Sequence, residues 1–244
     1  MAGETIDGTY RQTNLRNESK EYLAKREEVR LAEIELLKAR ERVAELRRQL
    51  PEGAIIEDYE FVEGPTALDE GDAPAKKVRL SELFTAPDRS LVIYHLMYGK
   101  QQTTPCPMCT AWIDGYNGIA HHFAQNVDFA IVAAADMATL RAYARARGWD
   151  KLRLLSAGES SFKYDLGSED AEGHQDSTIS VFTRDDEGTL RHFYSGHPRL
   201  GEDIKERGID ELTPIWNVLD LTPQGRGSWY ASLDYGTKVQ AARK

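Results

Sequence analysis

Ser90-Leu-Val-Ile-Tyr-His-Leu-Met-Tyr98, closed by Gly99 and followed by Thr103-Thr-Pro-Cys-Pro-Met-Cys109, is the stretch whose reading decides the fold. The first part is a near-continuous apolar run, rich in β-branched and aromatic residues, and it reads as a buried strand. Beyond the cysteines, Trp112, Ile113, Tyr116, Ile119, Ala120 and Phe123 fall three or four apart. That spacing predicts a helix from about Thr110 to Gln125 with one buried face. Cys106 and Cys109 are the only two cysteines in 244 residues. They lie where a central strand hands over to a helix.

That position has chemical consequences. The first turn of a helix carries unsatisfied N–H groups and the positive end of the macrodipole. A thiolate is favoured there, so Cys106 is expected to ionise below the ordinary thiol value of about 8.5 and to act as the nucleophile. Pro107 suits the first helical position, where no N–H is needed. Cys109, one turn on, is placed to resolve a mixed disulfide formed at Cys106. Two other readings stand beside this one. The pair could hold a soft metal, Cu(I) or Zn²⁺, with His95 or His174 completing the site. His121 and His122 would be about 18 Å away along the helix, too far to join it. Or the cysteines could be inert.

The whole chain narrows the classes. A net charge of −9 argues against nucleic acid as the main partner. No apolar run approaches 18 residues, so no membrane span is expected. The N-terminus lacks the basic and apolar regions of a signal peptide. Two close cysteines in such a chain fit a reducing cytoplasm, where they are more often catalytic or metal-binding than structural. No cofactor is expected.

Taken in order, residues 1 to 16 are polar and expected to be loosely ordered. A helix capped by Asn17 or Ser19 then runs to Leu50, stopped by Pro51 and Gly53. Val29, Ala32, Leu36, Ala39, Val43, Leu46 and Leu50 keep four-three spacing, with Leu31, Ile34 and Leu37 widening the stripe. At about 50 Å this helix would overhang a domain of this size, so residues 1–53 are read as a packing or dimerisation arm, and a homodimer is the favoured use. Residues 54–235 read as the main domain and 236–244 as a polar tail. Within the domain, Tyr59–Glu63 and Lys77–Leu80 are expected as strands, with a helical turn over Ser81–Phe84. Asp128–Ala135 is a second buried strand, parallel to the first. Met137–Arg147 is a helix with Arg141, Arg145 and Arg147 outward, ended by Gly148. Leu152–Leu155 reads as a short edge strand and Ser156–Gln175 as a long surface loop. Ser177–Thr183 and Leu190–Tyr194 form a hairpin around Asp185-Asp-Glu-Gly188. A helix lies near Ile209–Leu219, and the tail to Tyr235 packs by its aromatics. Strand-helix-strand-helix over 90–147 is the alternation of a parallel α/β layer.

The element order resembles the thioredoxin fold, a three-layer α/β arrangement with a central mixed sheet. The segment Val78-Arg-Leu-Ser-Glu-Leu-Phe84, then strand, then Cys-Pro-x-Cys, resembles the thioredoxin-like group that includes the peroxiredoxins. Tyr94-His-Leu-Met-Tyr98, Cys106-Pro-Met-Cys-Thr-Ala-Trp112, Phe162-Lys-Tyr-Asp165 and Trp216-Asn-Val-Leu-Asp-Leu-Thr-Pro-Gln-Gly-Arg-Gly227 resemble one bacterial family more closely. That family is the domain of unknown function numbered eight hundred and ninety-nine, thioredoxin-like proteins predicted to be dithiol-disulfide isomerases.

The resemblance implies a Cys-Pro-Met-Cys thiol-disulfide oxidoreductase. Cys106 and Cys109 would be its catalytic pair, a small thiol or protein disulfide its substrate, and a thioredoxin-type partner its reductant. Two departures stand out. Thioredoxins carry a cis-proline beside the cysteines that helps hold a peptide, and here that place falls near Asp176-Ser177-Thr178. Thr103 precedes Cys106 by three, as in the peroxiredoxin Thr-x-x-Cys, but Gly99 stands where that motif has proline. A peroxide reductase is therefore the weaker alternative. Tyr94, His95, Trp112, Thr103 and Pro107 are the expected supporting residues, with His95 able to tune Cys106 if its ring points that way.

Overall fold

The computed structural model describes residues 15–202 and 207–236. The expected loose N-terminus before residue 15 and the polar tail after residue 236 lie outside them. The chain divides into two compact units, Met1–Pro51 and Glu52–Lys244.

Among its described residues the first unit holds one long helix, α1 (Lys20–Arg48). The Ser19 hydroxyl accepts the Tyr22 N–H at 3.0 Å, satisfying one of the orphan donors of the first turn. Pairs three residues apart, such as Glu27–Arg30 and Glu45–Arg48, line its polar faces.

The second unit is built on seven strands, in the order β2-β1-β5-β4-β3-β6-β7 among the described residues. They are β1 (Glu60–Glu63), β2 (Lys76–Arg79), β3 (Leu91–Leu96), β4 (Asp128–Ala133), β5 (Arg153–Ser156), β6 (Thr178–Arg184) and β7 (Leu190–Gly196). The helices are α2 (Pro107–Phe123), α3 (Met137–Arg147), α4 (Phe162–Asp165) and α5 (Pro214–Asp220). β3, β4 and β5 run parallel, and the β6–β7 hairpin adds antiparallel to β3.

Alternation along the central strands sends side chains to two separate cores. Tyr94 and Leu96 of β3 with Ile131 and Ala133 of β4 join α2, α3 and Trp216 of α5 on one face. Leu91, Ile93, Ala130 and Val132 join Leu80, Leu83 and Phe162 on the other. The result is the three-layer, thioredoxin-like α/β fold with the cysteine helix following the central strand.

Three features depart from the expectations above. β5 is not an edge strand, because β1 pairs with its free side through Val62 and Ser156. Four residues carry too little pattern to show a neighbour supplied from ninety positions upstream. The segment 156–175 is not a surface loop, since it contains α4 and buries Phe162, Lys163 and Ser168 completely. Arg141 does not point outward but is 2% exposed. Its guanidinium donates to the carbonyls of Ala67 at 2.8 Å and Gly71 at 2.6 Å, and to Asp72 at 3.2 Å. It thereby organises the turn-rich 64–75 loop, whose backbone would otherwise lack partners. Gly64 leaves the room, as a Cβ there would lie 2.6 Å from the Arg141 side chain. Arg141→Met is expected to cost about 3 kcal/mol in urea unfolding, the toll of stranding several buried carbonyls. A loss within about 0.5 kcal/mol, typical of surface sites, would contradict this role.

Candidate active site

The cysteines are placed by the end of β3. Gly99 has φ +106°, and a Cβ there would lie 2.1 Å from the Ala135 nitrogen, so only glycine fits. Its N–H donates to the Gln102 carbonyl at 2.7 Å and its carbonyl accepts from Gln102 at 3.0 Å. This tight reversal folds the chain back until the Cys106 N–H meets the Met97 carbonyl at 3.1 Å. Cys106 is the N-cap of α2 and Pro107 its first residue. The Thr110 hydroxyl ties the turn down by donating to the Cys106 carbonyl at 3.0 Å.

The two thiols are unbridged and lie 3.5 Å apart. Cys106 is 7% exposed and lines an open cleft, whereas Cys109 is 1% exposed. Their environments push them in opposite directions. Cys106 falls to about 6, chiefly because the Cys109 thiol donates to its sulfur. The backbone N–H groups of Cys109 and Met108 and the Tyr230 hydroxyl add to this against the cost of burial. Cys109 is driven well above the ordinary thiol range by burial first, and then by the Cys106 charge. A stable thiolate at the surface and a protonated thiol beneath it are what sequential attack and resolution require.

Tyr94 stands on the cysteine face, with its hydroxyl 3.0 Å from Ser177 Oγ. It also offers a hydrogen bond that favours the Cys109 thiolate. Trp112 packs against Tyr94 at 6.1 Å between ring centroids and lines the cleft. His95, whose face the sequence left open, is turned away from Cys106. It shares the opposite face with Ile93, stacks on Phe162 at 5.2 Å, and places Nδ1 2.6 Å from Ser168 Oγ. Alternation sends residue 95 across the sheet from residue 94. Thr103 is likewise not at the cysteines. It is exposed on a separate depression with Gln102, Thr104 and His174. Asp114 accepts from Arg147 and from the Trp149 indole N–H.

Two residues of this region escaped the sequence reading. Tyr230 comes from the C-terminal segment, where the cluster Trp229-Tyr230 was a signal of packing but not of position. Lys163 is fully buried in the Phe162-Lys-Tyr-Asp165 motif, with its Nζ 3.4 Å from Ser168 Oγ. Burial lowers it from 10.5 to about 7, opposed by the charges of Cys109, Glu169 and Asp176. Among the described residues it has no carboxylate in ion-pair range.

The cleft itself is about 260 Å³ and is walled by Met97, Met108, Trp112, Trp216, Trp229 and Tyr230. Arg226 braces that wall. Its guanidinium lies 4.8 Å over the Trp216 ring and bonds Asp210 and Asp220, each at 2.7 Å. The metal reading finds little footing here. Among the described residues, the group of three ligand-bearing side chains close enough to share an ion is Asp170, Glu172 and His174, all exposed.

Solved structures similar to this chain include peroxiredoxins. Reduced Prx3 of Vibrio vulnificus in complex with hydrogen peroxide is 19% identical with a TM-score of 0.44, over 67% of this chain and 96% of that one. AhpC of Mycobacterium tuberculosis is 16% identical with a TM-score of 0.45, over 74% and 99%. The 1-Cys peroxiredoxin of Plasmodium falciparum is 15% identical with a TM-score of 0.46, over 69% and 99%. No curated protein matches the chain. The profile of a bacterial protein family of unknown function, DUF899, matches residues 12–240, through the cysteine pair, the Lys163 motif and the tryptophan wall alike, and the chain belongs to that family.

Proposed function

We propose that this protein is a thiol-disulfide oxidoreductase in which Cys106 is the nucleophile and Cys109 the resolving thiol. The observation that carries the reading is the asymmetry of the pair: two sulfurs 3.5 Å apart at a helix N-terminus, one lowered to about 6 and the other raised. At neutral pH Cys106 is then mostly thiolate without help from a base, and Cys109 holds its proton until attack begins. The attacking thiolate forms a mixed disulfide, Cys109 displaces it, and an external thiol or thioredoxin-type partner restores the dithiol. Such a cycle suits a reducing compartment, and the cytoplasm is the proposed location. Among the described residues no helix is long and apolar enough to cross a membrane.

This reading is favoured over the other two on placement. His95 lies across the sheet, and His174 is exposed and engaged by Asp170 at 2.9 Å, so neither attends the sulfurs as a metal ligand would. Thr103 is exposed away from the cysteines, which removes the residue on which a peroxidase reading leaned.

Alkylation of the reduced protein with iodoacetamide, followed by peptide mass spectrometry across pH 4 to 10, tests the proposal. One label is expected on Cys106 with a midpoint near 6, and Cys109 is expected to stay unlabelled until Cys106 is blocked. A Cys106 midpoint at the ordinary thiol value of about 8.5 would leave the pair without an activated nucleophile and the proposal without support.

A further inference from the structure

The substrate of this cysteine pair is constrained by the wall in front of it. Three of the chain's four tryptophans, Trp112, Trp216 and Trp229, line one small cleft with Met97, Met108 and Tyr230. Trp216 and Trp229 pack edge to face at 5.0 Å between centroids. Together with the Arg226 clamp, this makes the C-terminal side of the cleft a braced aromatic surface.

Two polar groups in the cleft lack a partner among the described residues. Trp112 is 3% exposed and its indole N–H meets no acceptor; Asp210 is 9% exposed and its Oδ1 meets no donor. A buried indole N–H or carboxylate oxygen left unpaired costs about 1–3 kcal/mol. Both residues line the same cleft as Cys106, and a molecule seated deeply against Trp112 and Asp210 would satisfy both. It would present a hydrogen-bond acceptor, a donor and an apolar body between them.

The rim argues against an extended peptide. Strand-like docking needs free backbone groups. At the rim residues Asp176 and Ser177 both N–H groups are already spent, on the Ser168 carbonyl and on Asp176 Oδ1, each at 2.8 Å. The Asp176 carboxylate takes His197 and Arg199, and Ser177 Oγ takes Tyr94.

We infer that the cleft takes a low-molecular-weight disulfide whose thiol halves carry an aromatic body and an adjacent amide-like hydrogen-bonding group, not a protein disulfide. The inference rests on the thiol-disulfide reading above. The Cys106 thiolate attacks one sulfur of R–S–S–R, and R–S⁻ leaves with the electron pair of the broken bond. Cys109 then attacks the Cys106 sulfur and its proton goes to a departing thiolate. The substrate gains two electrons and leaves as one thiol and one thiolate, which takes its proton from water, and the protein keeps the Cys106–Cys109 disulfide.

The test is single-turnover oxidation of the reduced full chain, followed by intrinsic tryptophan fluorescence. Three disulfides are compared: bis(4-carbamoylbenzyl) disulfide, bis(2-hydroxyethyl) disulfide and insulin. Alkyl and benzylic thiols leave with similar ease, so a rate difference between the two small disulfides reports recognition. The benzylic disulfide is expected to react about tenfold or more faster than the hydroxyethyl one, the discrimination an apolar pocket supplies. Trp229→Leu is expected to pull that ratio toward one, with Trp229→Phe keeping most of it, and the ratio stays interpretable whatever either variant does to stability. Equal rates, insulin as the fastest oxidant, or an unchanged ratio in Trp229→Leu would each overturn the substrate class while leaving the oxidoreductase reading intact. Failure of all three disulfides to oxidise the pair would remove that reading as well.

Discussion

Cys106→Ser abolishes disulfide reduction, with an expected loss of at least about a thousandfold in kcat/KM for any disulfide the wild type reduces. A serine hydroxyl at the same N-cap stays protonated throughout the working pH range, so no attacking anion forms. Cys109→Ala separates the two roles. It leaves the nucleophile in place but removes the thiol that does most to hold Cys106 down to about 6. Its Cys106 should therefore label with a midpoint shifted upward, toward the ordinary thiol value. It should also accumulate a mixed disulfide with substrate, visible by mass spectrometry, since nothing remains to displace it. If Cys109→Ala neither shifted the labelling midpoint nor trapped an adduct, the pair would not be working as donor and resolver, however active the wild type proved.

Lys163→Met stabilises the protein, by about 4 kcal/mol at pH 7 if the amine behaves as its burial dictates. The lysine is completely buried and falls from 10.5 to about 7, with burial as the first cause. A base whose folded value is lowered holds fewer protons when folded than when unfolded. Stability therefore rises with pH between about 7 and 10.5, and below 7 the penalty is constant. The groups facing it are His95 and Ser168, with the charges of Cys109, Glu169 and Asp176 favouring the ammonium and that of Lys100 opposing it. Methionine keeps the unbranched stem and most of the packing, one atom shorter, and sheds the titration. The lost 3.4 Å contact with Ser168 subtracts about 1 kcal/mol at most. Urea unfolding at pH 6, 7.5 and 9 should show the variant's advantage shrinking as pH rises. An advantage that stayed level with pH, or a destabilised variant, would mean that the buried amine is compensated in some way other than by losing its proton.

Lys163 is held, fully buried, within reach of the Cys109 charge. Burial brings its own value down to about 7, near neutral pH. Tyr94 and Ser177 complete the polar lining on the cysteine side of β3, while His95 and Ser168 continue it on the other. The mainly apolar cores on both faces of the sheet thus share a narrow polar seam at the carboxyl end of the central strand, and Cys106 opens it to the cleft.

The sequence by itself determined the local pieces. The apolar run at 90–98, the glycine that ends it, the Cys-Pro-x-Cys turn and the three-four spacing after it specified strand, reversal and helix, because each depends on neighbours a few residues away. The same holds for the Ser19 cap, the Gly148 terminus and the 177–194 hairpin. From those pieces the close cysteine pair at the start of a helix was legible before any coordinates. Only the tertiary structure decided what surrounds them. Arg141 is inward because a loop seventy positions earlier offers it carbonyls. Lys163 is buried because α4 tucks under the sheet, in a stretch whose glycines and charges look like surface. His95 and Tyr94 are adjacent in the chain and on opposite faces of the sheet. Tyr230 reaches Cys106, and Trp229 lines the same cleft, from more than a hundred residues away. Hydrogen bonds and burial of that range leave no period in the chain, so short-range pattern can name the paired sulfurs but not the walls around them.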